Sequence, residues 1–249
     1  MSSSNATVIP AAPPPPGVTP NFENPESSSH QLIIVSIVFP LFSYFFLIPR
    51  LYSASFILRK WHTDDYLICV AALLGLANAV LCIIQSTRGM GKHLWEIDLE
   101  TFQDTMKLLM FGGALTYALT TMFIKLSILS FYLRFSIDTS FRVAVYLVMF
   151  ISVGYSIPSA FLFLYVCRPM RSFWDLTVPG TCINRQAIFD AGNILNMVTD
   201  YMILLLPFWM LRPLLIPLSK KLGIGCILAA GGLYLFRFPF LASLVQISR

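Results

Sequence analysis

Residues 66–87 read YLICVAALLGLANAVLCIIQST, and no Asp, Glu, Lys or Arg falls between Asp65 and Arg88. A run of about 20 apolar residues, rising 1.5 Å each as a helix, crosses the roughly 30 Å of hydrocarbon in a bilayer. This stretch is long enough to do so. Residues 143–167 form a second run of the same kind, free of charge from Arg142 to Arg168.

Working outward from these two, four more apolar stretches occur, so the expected spans are about 32–57, 66–87, 108–133, 143–167, 190–211 and 222–247. The expected fold class is all-α, a polytopic transmembrane helix bundle. Whole-chain composition agrees: of 249 residues, 57% are hydrophobic and only 12% charged, with mean hydropathy +0.74. Soluble domains carry about 25% charged residues to cover their exterior, and this chain cannot. Prolines 40, 49, 158, 207 and 239 fall inside the spans, where neighbouring helices can satisfy the carbonyls they free.

Residues 1–31 are rich in Ser, Asn and Pro, include Pro13 to Pro16 and contain no Lys or Arg. Such a stretch cannot bury enough apolar surface to fold, so a disordered tail is expected. The four prolines read as a polyproline spacer. The tail lacks the charged start of a cleavable signal peptide, which leaves the first span as the targeting signal.

The formal net charge is +5, but the 17 Lys and Arg are scattered between apolar runs, so no nucleic-acid partner is expected. They orient the helices instead. Arg50, Arg59, Lys60, Arg134, Arg142, Arg212, Lys220 and Lys221 fall on one face with Asp64, Asp65 and Asp138. Arg88, Lys92, Lys107, Arg168, Arg171 and Arg185 fall on the other with Glu96, Asp98, Glu100, Asp104, Asp175 and Asp190. The richer face is expected in the cytoplasm, which puts the N-terminus outside. There, Asn5-Ala6-Thr7 is a glycosylation sequon. Trp61, Trp95, Trp174 and Trp209 lie near span ends, as interfacial anchors do.

Ionisable groups within a bilayer are costly and pair, face the interior or escape toward headgroups. Lys125, Asp200 and Arg237 lie at depths of about 12, 16 and 22 Å from the cytoplasmic ends. Asp200 is therefore expected to pair with Lys125 or Arg237, with Asn193 and Asn196 as hydrogen-bonding neighbours. The competing reading lets Lys125 snorkel to the interface. Cys167 and Cys182 bracket a loop on the oxidising side, where a disulfide is an option; Cys82 is a rival partner, and free buried thiols are the simplest alternative.

Thr63, Asp64 and Asp65 read as helix capping, and Gly89 and Gly91 as a turn out of the second span. The acids Glu96, Asp98, Glu100 and Asp104 read as a solvated loop face. His30, His62 and His93 are too scattered for a metal site. No nucleophile elbow, phosphate loop, zinc motif or redox C-x-x-C occurs, so no enzyme is expected.

Six spaced elements then assemble: Arg59…Asp64-Asp65; Gly89-x-Gly91-Lys92-His93; the string from Lys125-Leu126-Ser127 to Tyr132-Leu133-Arg134; Cys167-Arg168-Pro169…Trp174…Cys182; Asn196…Asp200…Pro207; and Lys220-Lys221…Arg237. Together, over residues 32–249, they resemble the fungal rhodopsin-domain family, relatives of plant-pathogen G-protein-coupled-receptor-like proteins. The resemblance implies a seven-helix membrane domain with its N-terminus outside, in some cases assigned to sensing external cues. It does not imply retinal, since the interior lysine, Lys125, is on the third span rather than a seventh. The sequence given ends at Arg249, so a six-span domain lacking the last helix is expected.

The expected function is a receptor-like sensor at the plasma membrane. Its partners would be the lipid bilayer, an external small-molecule or surface cue, and a cytoplasmic signalling protein. The alternatives are a transporter or channel using the intramembrane charges and an assembly subunit of a membrane complex. An epitope tag at the N-terminus should be stained in intact cells; staining only after permeabilisation would reverse the orientation.

Overall fold

The computed structural model describes residues 10–15, 17, 21, 27–136, 138–175 and 178–211. Helix α1 runs Ser29–Tyr52 and ends in a π-helical turn, Ser53–Ile57; α2 is Thr63–Thr87. Helix α3, Leu99–Leu108, continues through a second π-helical turn, Leu109–Gly113, into α4, Ala114–Phe135. Helices α5, Thr139–Leu164, and α6, Arg185–Leu211, follow. Two short strands, β1 (Cys167–Arg168) and β2 (Thr181–Cys182), pair antiparallel between them.

Five helical rods are long and apolar enough to cross a membrane: Ser29–Ile57, Thr63–Thr87, Leu99–Phe135, Thr139–Leu162 and Asp190–Trp209. Six spans were expected; five are found among the described residues, and the stretch 222–247 lies outside them. Two boundaries also move. The first helix begins at Ser29, and the third rod begins at Leu99, well before residue 108. The acids of residues 96–104 read as a loop because their charge hides a helical period. In the structure Asp104 pairs with Lys107 at 2.9 Å on the exposed side of α3, while Thr105 is buried on the other.

The chain divides into two compact units, Met1–Phe123 with Ser156–Arg185, and Ile124–Tyr155 with Gln186–Arg249. In the first unit α1 packs along α2. None of its residues is buried, and Phe39, Phe42, Phe45 and Phe46 stand exposed, as a lipid-facing helix requires. Polar side chains join the helices at a few points. The Tyr44 hydroxyl donates to the Ala72 carbonyl at 2.7 Å, and the Thr116 hydroxyl to Asn78 Oδ1 at 3.1 Å. In lipid, such bonds average about 0.6 kcal/mol each.

At the far end of this helix pair, Arg50 Nη2 lies 2.9 Å from Asp64 Oδ2 and its Nε 3.6 Å from Asp65 Oδ1. Both carboxylates are buried, and Asp65 also accepts the His62 backbone N–H at 3.2 Å. Capping alone is therefore an incomplete account of these acids. Only Asp65 reaches back to the helix start, and Arg50, fourteen or more residues away in sequence, pairs with both while offsetting one of their two charges.

At the opposite end, Gly89 and Gly91 adopt positive φ of 111° and 96°, turning the chain out of α2 as expected of them. Gly91 lies so close to residues 28 and 29 that a Cβ would meet the Ser29 nitrogen at 3.0 Å. Part of the segment expected as a disordered tail is paired here. Ser28 donates to the Gly91 carbonyl at 2.9 Å, and Ala11 to the Ile97 carbonyl at 3.0 Å. Backbone pairing needs no apolar side chain, so composition did not reveal it.

The loop between α5 and α6 is closed by a disulfide between Cys167 and Cys182, facing residues of the β1–β2 pair. The loop rests on α3 and the turn after it. Gln103 Nε2 donates to Asp175 Oδ1 at 3.3 Å, and the rings of Phe111 and Trp174 lie 5.9 Å apart. Among the described residues Cys82, the rival partner, is a free thiol.

The second unit has a small apolar core of Leu129, Phe141, Val145, Val148, Ile203 and Leu206, drawn from α4, α5 and α6. Trp209 meets Phe141 edge-on, with ring centroids 6.3 Å apart. Closing the 15-residue separation between Cys167 and Cys182 contributes about 3 kcal/mol in the chain-entropy account. Cys167→Ser with Cys182→Ser is expected to lower the thermal midpoint in detergent by several degrees, and a reductant should reproduce the shift in the wild type only.

Candidate functional site

Lys125 sits mid-way along α4, on the stripe that also carries the buried Met122 and Leu129. Spacings of three and four place all three on one face of the helix, so an inward lysine follows from the helical period. It is 4% exposed. A water-poor position of this kind obliges the ammonium to find its acceptors among the surrounding helices.

Five oxygens surround it. Asp200 Oδ1 lies 3.0 Å away, Thr199 Oγ1 2.6 Å, Asn196 Oδ1 2.7 Å, the Asn196 carbonyl 3.0 Å and the Tyr155 hydroxyl 2.9 Å. An ammonium has three hydrogens, so five neighbours at these distances more than satisfy it. The acceptors are linked to one another. The Tyr155 hydroxyl donates to Asn196 Oδ1 at 3.0 Å, Thr199 donates to the Asn196 carbonyl at 2.8 Å, and Asn196 Nδ2 approaches Asp200 at 3.5 Å.

Helix α6 can present this set because residues 196, 199, 200 and 203 fall on one face. Asn196, Thr199 and Asp200 hold the ammonium, and Ile203 enters the apolar core one turn on. The cluster thereby ties α4 to α5 through Tyr155 and to α6 through one helical turn. Asp200 keeps 27% of its side chain exposed, so the pair is not sealed on the carboxylate side.

Among the expected residues, the structure brings Lys125, Asp200 and Asn196 together. Asn193 is exposed and shares none of these hydrogen bonds, since the lysine reaches a single turn of α6 and Asn193 lies a turn beyond it. Arg237 and Asn5 lie outside the described residues. Snorkelling is excluded by the burial of Lys125 and by its partners. Tyr155 and Thr199 escaped the sequence reading because neither carries charge. Thr199's place between Asn196 and Asp200 on the helical period was the available signal. Among the described residues no group of three or more His, Cys, Asp or Glu is placed to hold a metal ion.

On the same helices Ser127 and Ser152 are fully buried, and among the described residues the Ser152 hydroxyl has no partner. The chemistry of the Lys125 cluster is that of a charge clasp, whose two halves separate only if other acceptors or donors replace them.

A model of the fungal rhodopsin domain matches residues 49–243. The chain belongs to the fungal rhodopsin-domain family. Among similar relatives of this fungal rhodopsin-domain protein is the wortmanamides biosynthesis cluster protein C of Talaromyces wortmannii, 26% identical over 84% of this chain and 59% of the relative. The SAT4 family membrane protein of Emericella nidulans is 28% identical over 70% of this chain and 46% of its own. The fugralins biosynthesis cluster protein 2 of Gibberella zeae is 23% identical over 89% of this chain and 57% of its own. The chain thus spans about half to three-fifths of the length of the curated relatives it matches. No solved structure matches it.

With the family and the apolar helices together, the chain is a multi-pass membrane protein. Lys125→Met should cost about 2–4 kcal/mol, below the range for a broken ion pair in a soluble core because helices in lipid find other partners. Lys125→Met with Asp200→Leu should be less destabilised than the sum of the two single changes. Additive losses in thermal midpoint would mean that the two side chains are not coupled.

Proposed function

We propose that this fungal rhodopsin-domain protein is a receptor-like sensor in the plasma membrane, with its N-terminus outside. The observation that carries the reading is the Lys125 clasp, one ammonium held jointly by residues of α4, α5 and α6. A side chain shared among three helices makes their arrangement all-or-none. A cue bound elsewhere on the bundle then changes the balance of two arrangements rather than bending one continuously.

The magnitude is in a useful range. A clasp of about 2–4 kcal/mol is offset by a ligand that binds the opened arrangement roughly 30- to 1000-fold more tightly. In this reading Lys125 holds helices and forms no imine with retinal, and the protein performs no catalysis. The cue is external, and the loops at 58–65 and 134–142 face a cytoplasmic signalling partner.

Transport is the second reading, favoured by the partial exposure of the Asp200 side chain, which leaves the pair open on one side. The names of the relatives also bear on the cue. Two belong to biosynthesis clusters for wortmanamides and fugralins, which supports a small organic molecule as the thing sensed or handled. An assembly role beside biosynthetic enzymes is the third reading.

A promiscuous biotin ligase inserted at residues 136–138 reports which cytoplasmic proteins lie near the α4–α5 loop. Organic extract of spent growth medium is expected to change the labelled set several-fold in the wild type, and Asp200→Asn should hold it at one level with or without extract. Labelling that ignores extract in the wild type would overturn the sensor reading. Solute flux in vesicles that Asp200→Asn abolishes would favour transport, and stoichiometric co-purification of an enzyme would favour assembly.

A further inference from the structure

A second feature of the first unit is a cavity of about 160 Å³ at the end of α2 that carries the Gly89–Gly91 turn. It lies between that turn and the first half of the third rod, and its walls are mostly apolar, with Ile97, Phe102 and Met106 among them. Gln85 also lines it. That residue is 3% exposed, and among the described residues its Nε2 has no hydrogen-bond partner.

An unpaired amide N–H in a water-poor site is costly to keep, and its retention calls for an acceptor. Gly113, the last residue of the second π-helical turn, passes close to this amide: a Cβ there would meet Gln85 Nε2 at 3.1 Å, and the amide would have to give by a few tenths of an ångström. Thr105, also at the cavity, is already engaged: its hydroxyl donates to the Thr101 carbonyl at 2.8 Å.

Arg88 and Lys92 complete the lining. Among the described residues neither forms an ion pair, and Asp104, the acid on the adjacent face of α3, is bonded to Lys107 at 2.9 Å. Glu96, between the lining residues Leu94 and Ile97, is not itself part of the lining; its Oε2 is buried without a hydrogen-bond partner among the described residues. The cavity therefore combines apolar walls, one buried donor without an acceptor among the described residues, and two cations outside any ion pair, of which Arg88 lies within electrostatic range of Asp104.

We infer that this cavity binds a small aromatic or short-chain organic carboxylate. The carboxylate would meet Arg88 and Lys92, an oxygen would accept from Gln85 Nε2, and the apolar body would rest against Ile97, Phe102 and Met106. A cavity of this volume suits a body of about six to ten non-hydrogen atoms. The inference deepens the sensor reading and rests on it for the role of the site: in that orientation the cavity lies on the outer side, where a cue arrives.

The test uses the full chain in nanodiscs and equilibrium dialysis against radiolabelled benzoate, with empty nanodiscs as the blank. Benzoate is expected to bind saturably, with Kd roughly 10 µM to 1 mM for so small a ligand. Benzyl alcohol should compete about tenfold less well, and benzylamine not at all. Arg88→Gln, an exposed change that leaves packing alone, should weaken binding about tenfold; Met106→Trp, which fills the cavity, should abolish it. Gln85→Leu should weaken it with the thermal midpoint held or raised.

Absence of saturable binding, equal competition by benzylamine, or wild-type affinity in both Arg88→Gln and Met106→Trp would overturn the site. The two proposals fail separately. If extract still changes the labelling while benzoate does not bind, this cavity is excluded and the sensor reading stands; if benzoate binds while labelling ignores extract, the reverse holds.

Discussion

A lysine ammonium placed in a bilayer has no water to donate to, and the helices around it must supply what water would have supplied. That constraint organises the second unit of this protein. Lys125 takes its acceptors from one turn of α6 and from Tyr155 on α5. The apolar core begins immediately beyond, at Leu129 and Ile203. Apolar packing alone does not choose among rotations of helices whose faces are all hydrocarbon, because lipid packs equally well. A charge with one set of partners does choose.

The same argument explains the first unit at its Arg50 end. Two adjacent carboxylates are buried at the start of α2, where the helix dipole helps, but the dipole carries only about half a unit of positive charge. A full cation is needed for two acids, and Arg50 reaches both of them from α1. The outcome is a helix pair closed by a fork of charge at one end. At the other end its neighbour is pinned by backbone pairing to residues 11 and 28. Between these ends the contacts are sparse hydrogen bonds of small individual worth, such as Tyr44 to Ala72.

Family membership establishes a membrane protein of the fungal rhodopsin-domain kind without assigning an activity. What the structure adds is two sites of contrasting chemistry. The Lys125 cluster is saturated with partners, which suits a latch. The Gln85 cavity has a donor and two cations left over, which suits a ligand. The proposed sensor role draws on both kinds of site, one for something to bind and one whose state changes.

Composition and hydropathy determined the solvent and the fold class, because a chain 57% hydrophobic and 12% charged has no means of covering itself in water. They also singled out Lys125 and Asp200, since a charge inside an apolar run is conspicuous and expensive. Uncharged partners were invisible to that logic. Tyr155 and Thr199 cost little to place in a helix, and only the juxtaposition of α4, α5 and α6 shows that they complete the lysine's shell. Asn193, on the favoured side of the helical period, lies outside it because reach is a matter of distance, not periodicity. Arg50's bond to two acids, the docking of residues 11 and 28, and the orphaned amide of Gln85 are likewise decided in three dimensions. Each depends on groups far apart in sequence, and local pattern carries no information about which distant group will arrive.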